Sequence, residues 1–467
     1  MRNRFTAALL AVALAGCSLA PDYKRPEAPV PAAWPEPVQA AGKREAAHTD
    51  WRTLFPDPRL QALIATALEH NRDLRIAVAR VGEARAQYGI SSAERVPNLN
   101  LGLSRAAQKI PPQFVGTSDP SGNGVPIVNE RNDLSLSSVA FEVDFWGRVA
   151  SMSESARASY LASEEAQRAA RLSIVADVAN AYFGLLEMEE RLLVGRETLA
   201  SREKTRALVA RGRESGFASN IEILQAEGAV ESARAELAVL ERQRAAASNW
   251  LNQLVGHAPE GLPRGRNLLE QAVGDNLAAG IPSEVLLTRP DVMAAEQRLI
   301  AANASIGAAR AAFLPKLLLT AAFGVASRGV ATLFEGNTGV WSYQPSLSLP
   351  LFDGGRLAGN KDIAEARKVI AVAEYEKTIQ QAFREVADLL STRATLIDQR
   401  QAAEALLRTQ EERFKIAQAR YKAGVASFLE VLDAQRELFG AQQGAIQVRR
   451  AQLGATAQLY KALGGGG

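Results

Sequence analysis

One passage is written twice in this chain. Gly216 opens GFASNIEILQA, and 208 residues later Gly424 opens GVASFLEVLDA, with six of eleven positions identical. The copy extends further. DLRIAVARVGEARAQYGISSAERVPNLNLGL, from Asp73, aligns without a gap with DVMAAEQRLIAANASIGAARAAFLPKLLLTA, from Asp291, at an offset of 218. DFWGR at Asp144 echoes FDGGR at Phe352. A 467-residue chain repeated in this way is one architecture built twice, so internal pseudo-symmetry is expected. The first repeat covers 51–259 and the second 280–464, with a linker at 260–279 and a short tail at 465–467.

Each repeat has the same three parts. The first is a helix that ends before Pro97 or Pro315, since proline cannot continue a helix and forces its predecessor to extend. The second is a β-hairpin, about 98–145 and about 316–352. Leu99, Leu101 and Leu103 alternate with polar or small residues, as do Val139, Phe141, Val143 and Phe145. Leu317, Leu319, Ala321, Phe323 and Val325 share one face, and Leu347, Leu349 and Leu351 alternate with Ser346 and Ser348. Segments of about ten residues with one greasy and one polar face are the pattern of a transmembrane β-barrel strand. Trp146, Trp341 and Tyr343 stand near strand ends, where interface aromatics belong. A soluble sandwich alternates the same way. Leu134 and Leu136 fall on the wrong parity and require a bulge or a different boundary. A long polar loop is expected at 106–132 and a shorter one at 327–339.

The third part is a very long helical stretch, because no proline occurs between Ile127 and Ala258 or after Pro350. Leu172, Val175, Ala179, Tyr182 and Leu186 recur at coiled-coil spacing. The first arm, about 151–213, would reach roughly 90–100 Å at the rise of an α-helix. Gly216 and Gly424 then permit the left-handed turn that ends a helix. Ser219 with Glu222, and Ser427 with Glu430, form Ser-x-x-Glu capping boxes that start the next helix. The repeated passage is thus the turn of a helical hairpin.

Other classes fall away. The 54 basic residues nearly cancel the 51 acids, which is not the balance of a nucleic-acid binder. The only cysteine is Cys17, and His48, His70 and His257 lack metal-ligand spacing. No catalytic or phosphate-binding motif is present, so neither an enzyme nor a cofactor is expected. The chain opens with Arg2, Arg4 and an apolar run too short to span a bilayer, a secretory leader over 1–16. Leu14-Ala15-Gly16-Cys17 resembles the lipobox of bacterial lipoproteins, which implies acylation of Cys17 and anchoring in outer-membrane lipid. Ser18, rather than Asp, fits the outer membrane. Residues 17–50, rich in proline, make an extended and poorly ordered arm.

Four strands cannot close a barrel, and an open sheet edge is not tolerated in lipid. Several chains must contribute to one barrel. LAGCSLAPDYKRP, WRTLFPDPRLQALIATALEHNRDLRIAVARVGEARA, EVDFWGR, LLTRPDVMAAEQRLIAANASIGAARAAFLPKL, LPLFDGGR and the two tip passages, in this order, resemble the TolC-type outer membrane efflux family in its OprM/NodT lipoprotein branch. The resemblance covers the whole mature chain. It implies an α+β membrane protein of a Gram-negative outer membrane. It implies a homotrimer whose 12-stranded β-barrel continues into a coiled-coil periplasmic tunnel. The function implied is a passive exit duct for drugs and small amphiphiles, working with a periplasmic adaptor and an inner-membrane RND pump.

In that family the hairpin tips form the tunnel entrance and meet the adaptor, which points here to Gly216, Ala218, Ser219, Gly424, Ala426 and Ser427. Acidic residues past the tip line a constriction, and the matching positions are Glu430 and Asp433, with Glu222 in the first repeat. In a trimer each becomes a ring of three carboxylates that favours cations. Arg213, Arg420 and Lys422 stand near enough in sequence to offset the repulsion. Two other readings remain. One is a duct of the same class for type I protein secretion or metal-ion efflux. The other is a structural or adaptor lipoprotein made of periplasmic coiled coil.

Overall fold

The computed structural model describes residues 19–34, 44–45, 50–111, 127–216, 218–257, 261–272, 277–278 and 286–465. Cys17 and most of the loop after the first strand lie outside them. In chain order the elements are β1 (Arg44–Glu45), α1 (Trp51–Leu54), α2 (Pro58–His70), α3 (Arg72–Ala93), β2 (Asn100–Ile110), β3 (Ile127–Val143), α4 (Arg148–Glu214) and α5 (Asn220–Val255). Then follow β4 (Leu277–Ala278), α6 (Pro290–Ala311), β5 (Lys316–Ser327), β6 (Gly339–Ser348), α7 (Arg356–Lys422) and α8 (Phe428–Ala462). These fall into two units. The first contains Gly82–Leu161 and Glu296–Ala373; the second contains Pro26–Val81, Ala162–Ala295 and Glu374–Gly467.

In the first unit an antiparallel sheet has the order β2-β3-β5-β6. Register brings Leu101, Leu136, Phe323 and Trp341 into one row across all four strands. The next row, Gly102, Ser135, Gly324 and Val340, points the other way. The parity conflict at Leu134 and Leu136 is resolved by a bulge. Register shifts between Ser138 and Phe141, Ala140 takes φ 55°, and its N–H donates to Thr320 Oγ1 at 3.1 Å. The bulge lets even-numbered residues before it and odd-numbered residues after it share the apolar face. That face is open: Leu101 is 74% exposed, Phe323 72% and Trp341 78%. β2 runs to Ile110 and β3 starts at Ile127, so strand occupies both flanks of the long loop expected at 106–132. Leu349 and Leu351, expected on the last strand, lie beyond its end at Ser348.

The two echoing Asp residues explain where the long helices start. Asp144 Oδ2 accepts from the Ala150 N–H, and Asp353 Oδ2 from the Leu357 N–H. These caps satisfy donors that a helix start leaves unpaired. The arm, expected to be poorly ordered, is docked over its described first residues. Asn303 Nδ2 donates to the Pro21 carbonyl at 2.6 Å, and Arg25 forms a bidentate pair with Glu296 at 2.7 and 2.8 Å. Three polar anchors and the stiff proline backbone outweigh the missing secondary structure.

In the second unit the core is built by α1, α2, α4, α5, α7 and α8. Leu172, Val175, Ala179, Tyr182 and Leu186, the stripe at 3–4 spacing, are all buried. Asp57 is buried among four donors: the Arg59 and Arg266 N–H groups, Tyr182 Oη and Gln271 Nε2. Burial pushes its carboxyl up, but these hydrogen bonds outweigh that and hold it below the usual range. They pin the linker segment at 261–272 to the core. Buried Arg289 donates to the Ala462 carbonyl at 2.7 Å and pairs with Asp291 and Glu385, which ties down the end of α8.

Candidate functional site

Each tip is built by a glycine in the left-handed region: Gly216 at φ 78° and Gly424 at φ 73°. At the first tip the Gly216 N–H donates to the Arg213 carbonyl and the Ala218 N–H to the Gly212 carbonyl. At the second, the Gly424 N–H donates to Tyr421 and the Val425 N–H to Arg420, closing the last turn of α7. All predicted tip residues, Gly216, Ala218, Ser219, Gly424, Ala426 and Ser427, lie in these two turns.

The tips share a small apolar core. Val209 and Ala226 of the first hairpin are buried with Ala417, Phe428, Val431 and Ala434 of the second. The Tyr421 ring packs against Phe428 in a tilted arrangement, with centroids 5.5 Å apart. Burial and then the Glu222 carboxylate push the Tyr421 hydroxyl upward, so Glu222 belongs to the same neighbourhood. Burial of Phe428 and Val431 contributes about 1.5–3 kcal/mol each.

Above this core the acids behave differently. Glu222 completes a capping box: Ser219 N–H donates to its Oε2 at 2.7 Å, and the Glu222 N–H donates to Ser219 Oγ at 3.3 Å. The second box expected from sequence does not form. Ser427 is the N-cap of α8 but its side chain makes no cap hydrogen bond. Glu430 turns to Arg420 on α7, with Nη1 to Oε1 at 3.0 Å. A charged guanidinium is a stronger partner for the carboxylate than a backbone N–H. Asp433 is held from two sides, by Arg413 Nη2 at 2.6 Å and Arg436 Nη2 at 2.7 Å. Glu430 and Asp433 are therefore compensated within the chain, as the nearby cations lead one to expect. Arg420 is one of the cations expected to do this; Arg413 and Arg436 are further ones that the sequence does not point to. Exposed ion pairs contribute only about 0–1 kcal/mol. They set the charge at the tip, while the apolar cluster holds it.

Among the described residues no group of side chains is arranged to hold a metal ion. His70 and His257, far apart in sequence, do meet, with rings stacked at 4.8 Å.

The model of one family, described as outer membrane efflux protein, matches residues 63–257 and again 281–465. The chain belongs to the outer membrane efflux protein family. It is the outer-membrane component of an efflux system. Similar relatives include the toluene efflux pump outer membrane protein TtgF of Pseudomonas putida, 42% identical over 100% of this chain and 97% of that one. Another is the outer membrane protein OprJ of Pseudomonas aeruginosa, 42% identical over 99% of this chain and 95% of that one. Among solved structures, the open state of the Neisseria gonorrhoeae MtrE outer membrane channel superposes with a TM-score of 0.87 at 36% identity, covering 96% of this chain and 98% of MtrE. The efflux family thus accounts for both halves of the duplication, since its model matches each.

Proposed function

We propose that three copies of this chain join their four-stranded sheets into one 12-stranded barrel, with the helical hairpins forming a periplasmic tunnel. The observation that carries this is the sheet itself. Among the described residues β2 and β6 are open edges, and the apolar face exposes Leu101, Leu103, Leu136, Phe323, Trp341 and Leu347. Neither is stable in lipid unless the edges pair with other copies. The tunnel is an exit duct for small amphiphiles, served by a periplasmic adaptor and an inner-membrane RND pump. The name of TtgF, a toluene efflux protein, supports small apolar cargo over exported proteins. The adaptor docks at Gly216, Ala218, Ser219, Gly424, Ala426 and Ser427; Glu222, Glu430 and Asp433 line the constriction, where Glu430 and Asp433 set the charge while Glu222 is engaged by its cap. Acyl chains on Cys17 add anchorage, each buried methylene contributing about 0.8 kcal/mol.

Deletion of the gene, with a susceptibility panel of solvents, dyes and antibiotics, tests this reading. Deletion is expected to sensitise the cells. Wild-type chain restores resistance fully, and Cys17→Ala restores it in part because the barrel still inserts. Unchanged susceptibility, together with protein that is monomeric and released by salt, would overturn the duct.

A further inference from the structure

Side chains alternate across a strand, so the apolar face of the sheet fixes what lies on the other one. Ahead of the bulge that second face takes the odd-numbered residues of β3, and after it the even-numbered ones. The even-numbered residues of β2, β5 and β6 lie beside them. In the proposed barrel the apolar face meets lipid, so the second face lines the lumen. The end of the sheet that carries the loops is the extracellular mouth, because α3, α4, α6 and α7 all join the sheet at the opposite end.

Charge on the lumen face is confined to its two ends. The middle rows are small and uncharged: Asn100, Ser137, Ala322 and Ser342 in one, Gly102, Ser135, Gly324 and Val340 in the next. At the helix end stand Glu142 and Lys316, and Arg148 of α4 holds Glu142 in a bidentate pair at 2.7 and 2.8 Å. Toward the mouth, the row after Ser135 is Ser104, Asp133 and Ala326, and Arg131 stands one row beyond. Two residues apart on one strand, Arg131 and Asp133 project from the same face. Arg131 Nε lies 2.8 and 2.9 Å from the two Asp133 carboxylate oxygens, and Nη2 lies 2.7 Å from Oδ1. Among the described strand residues Arg131, Asp133, Glu142 and Lys316 are the charges of this face, two of each sign.

We infer that Arg131 and Asp133 are specificity-determining residues of the extracellular mouth. The pair keeps this end of the lumen electrically neutral, so solutes of either sign leave alike. A single unpaired charge at this level would be repeated in every copy around the barrel, and a ring of like charges selects by sign. Each residue therefore cancels the selectivity that the other would impose. The inference rests on the reading of several sheets as one barrel.

The test is the reversal potential of full-length protein in planar bilayers, under a gradient of salt near 0.01 M, where screening extends to about 30 Å. Arg131→Gln frees the Asp133 carboxylates and is expected to raise the cation-to-anion permeability ratio about twofold. Asp133→Asn frees the Arg131 guanidinium groups and lowers the ratio by about as much. The double variant Arg131→Gln/Asp133→Asn returns to the wild-type ratio, which the loss of a merely structural contact would not produce. Near 1 M salt, where screening shortens to about 3 Å, both single variants return to it as well. Single variants that leave the ratio unchanged at low salt, single variants that shift it the same way, or a double variant that keeps a shift would overturn the inference. The pair is exposed and adds little stability, so all three variants are expected to assemble. If one single variant fails to assemble, the other and the double decide by the same criteria. Wild-type protein that forms no channel at all refutes the barrel and this inference with it, an outcome that the susceptibility panel and the oligomeric state read independently.

Discussion

The two tips share a backbone and differ in what their side chains do. Gly216 and Gly424 turn the chain in the same left-handed way. After that turn, Ser219 and Glu222 cap each other and spend their polar groups locally. Ser427 makes no side-chain cap, and Glu430 and Asp433 reach across to arginines on the neighbouring helix or one turn along. The difference starts at one position. Asn220 is exposed, whereas its counterpart Phe428 is 1% exposed and fills the apolar core of the tips. Duplication copied the turn, and divergence gave one copy the packing and the charges.

Phe428→Ala is expected to cost about 3–5 kcal/mol by leaving a cavity under both turns. Asn220→Ala should change stability by less than about 0.5 kcal/mol. Thermal midpoints in detergent measure both, and equal losses would mean that the tips are packed alike. Ser219→Ala removes a cap worth about 1 kcal/mol, whereas Ser427→Ala removes none. Hydrogen exchange in the first turns of α5 and α8 reads the difference: protection falls after Ser219→Ala and stays level after Ser427→Ala.

Much of the backbone was legible in the sequence because its punctuation is local. Pro97 and Pro315 stop helices, Gly216 and Gly424 turn hairpins, and the parity conflict between Leu136 and Phe141 required a bulge or a different boundary, of which the structure has the bulge, at Ala140. The side-chain partners were not legible in the same way. Arg413 is 20 residues from Asp433, and Ser201 is 234 from Gln435. Such pairs depend on the register of antiparallel helices, which spacing along one helix does not reveal. The Ser427 box failed for a related reason: Arg420, brought back by the turn, outcompetes the helix end for Glu430. Docking of the arm at Glu296 and Asn303 likewise depends on a helix more than 270 residues away.

If the second tip alone sets the charge of the entrance, the reversal potential across a planar bilayer with a salt gradient will report it. Asp433→Asn leaves Arg413 and Arg436 without their shared carboxylate. Arg436 keeps Glu437, but permeability should move toward the anion by about threefold or more, because the ring of Arg413 guanidinium groups loses its counter-charge. Glu222→Gln, which keeps the cap, should leave the potential unchanged. An unchanged potential in Asp433→Asn, or an equal shift in Glu222→Gln, would contradict the division of duties between the two tips.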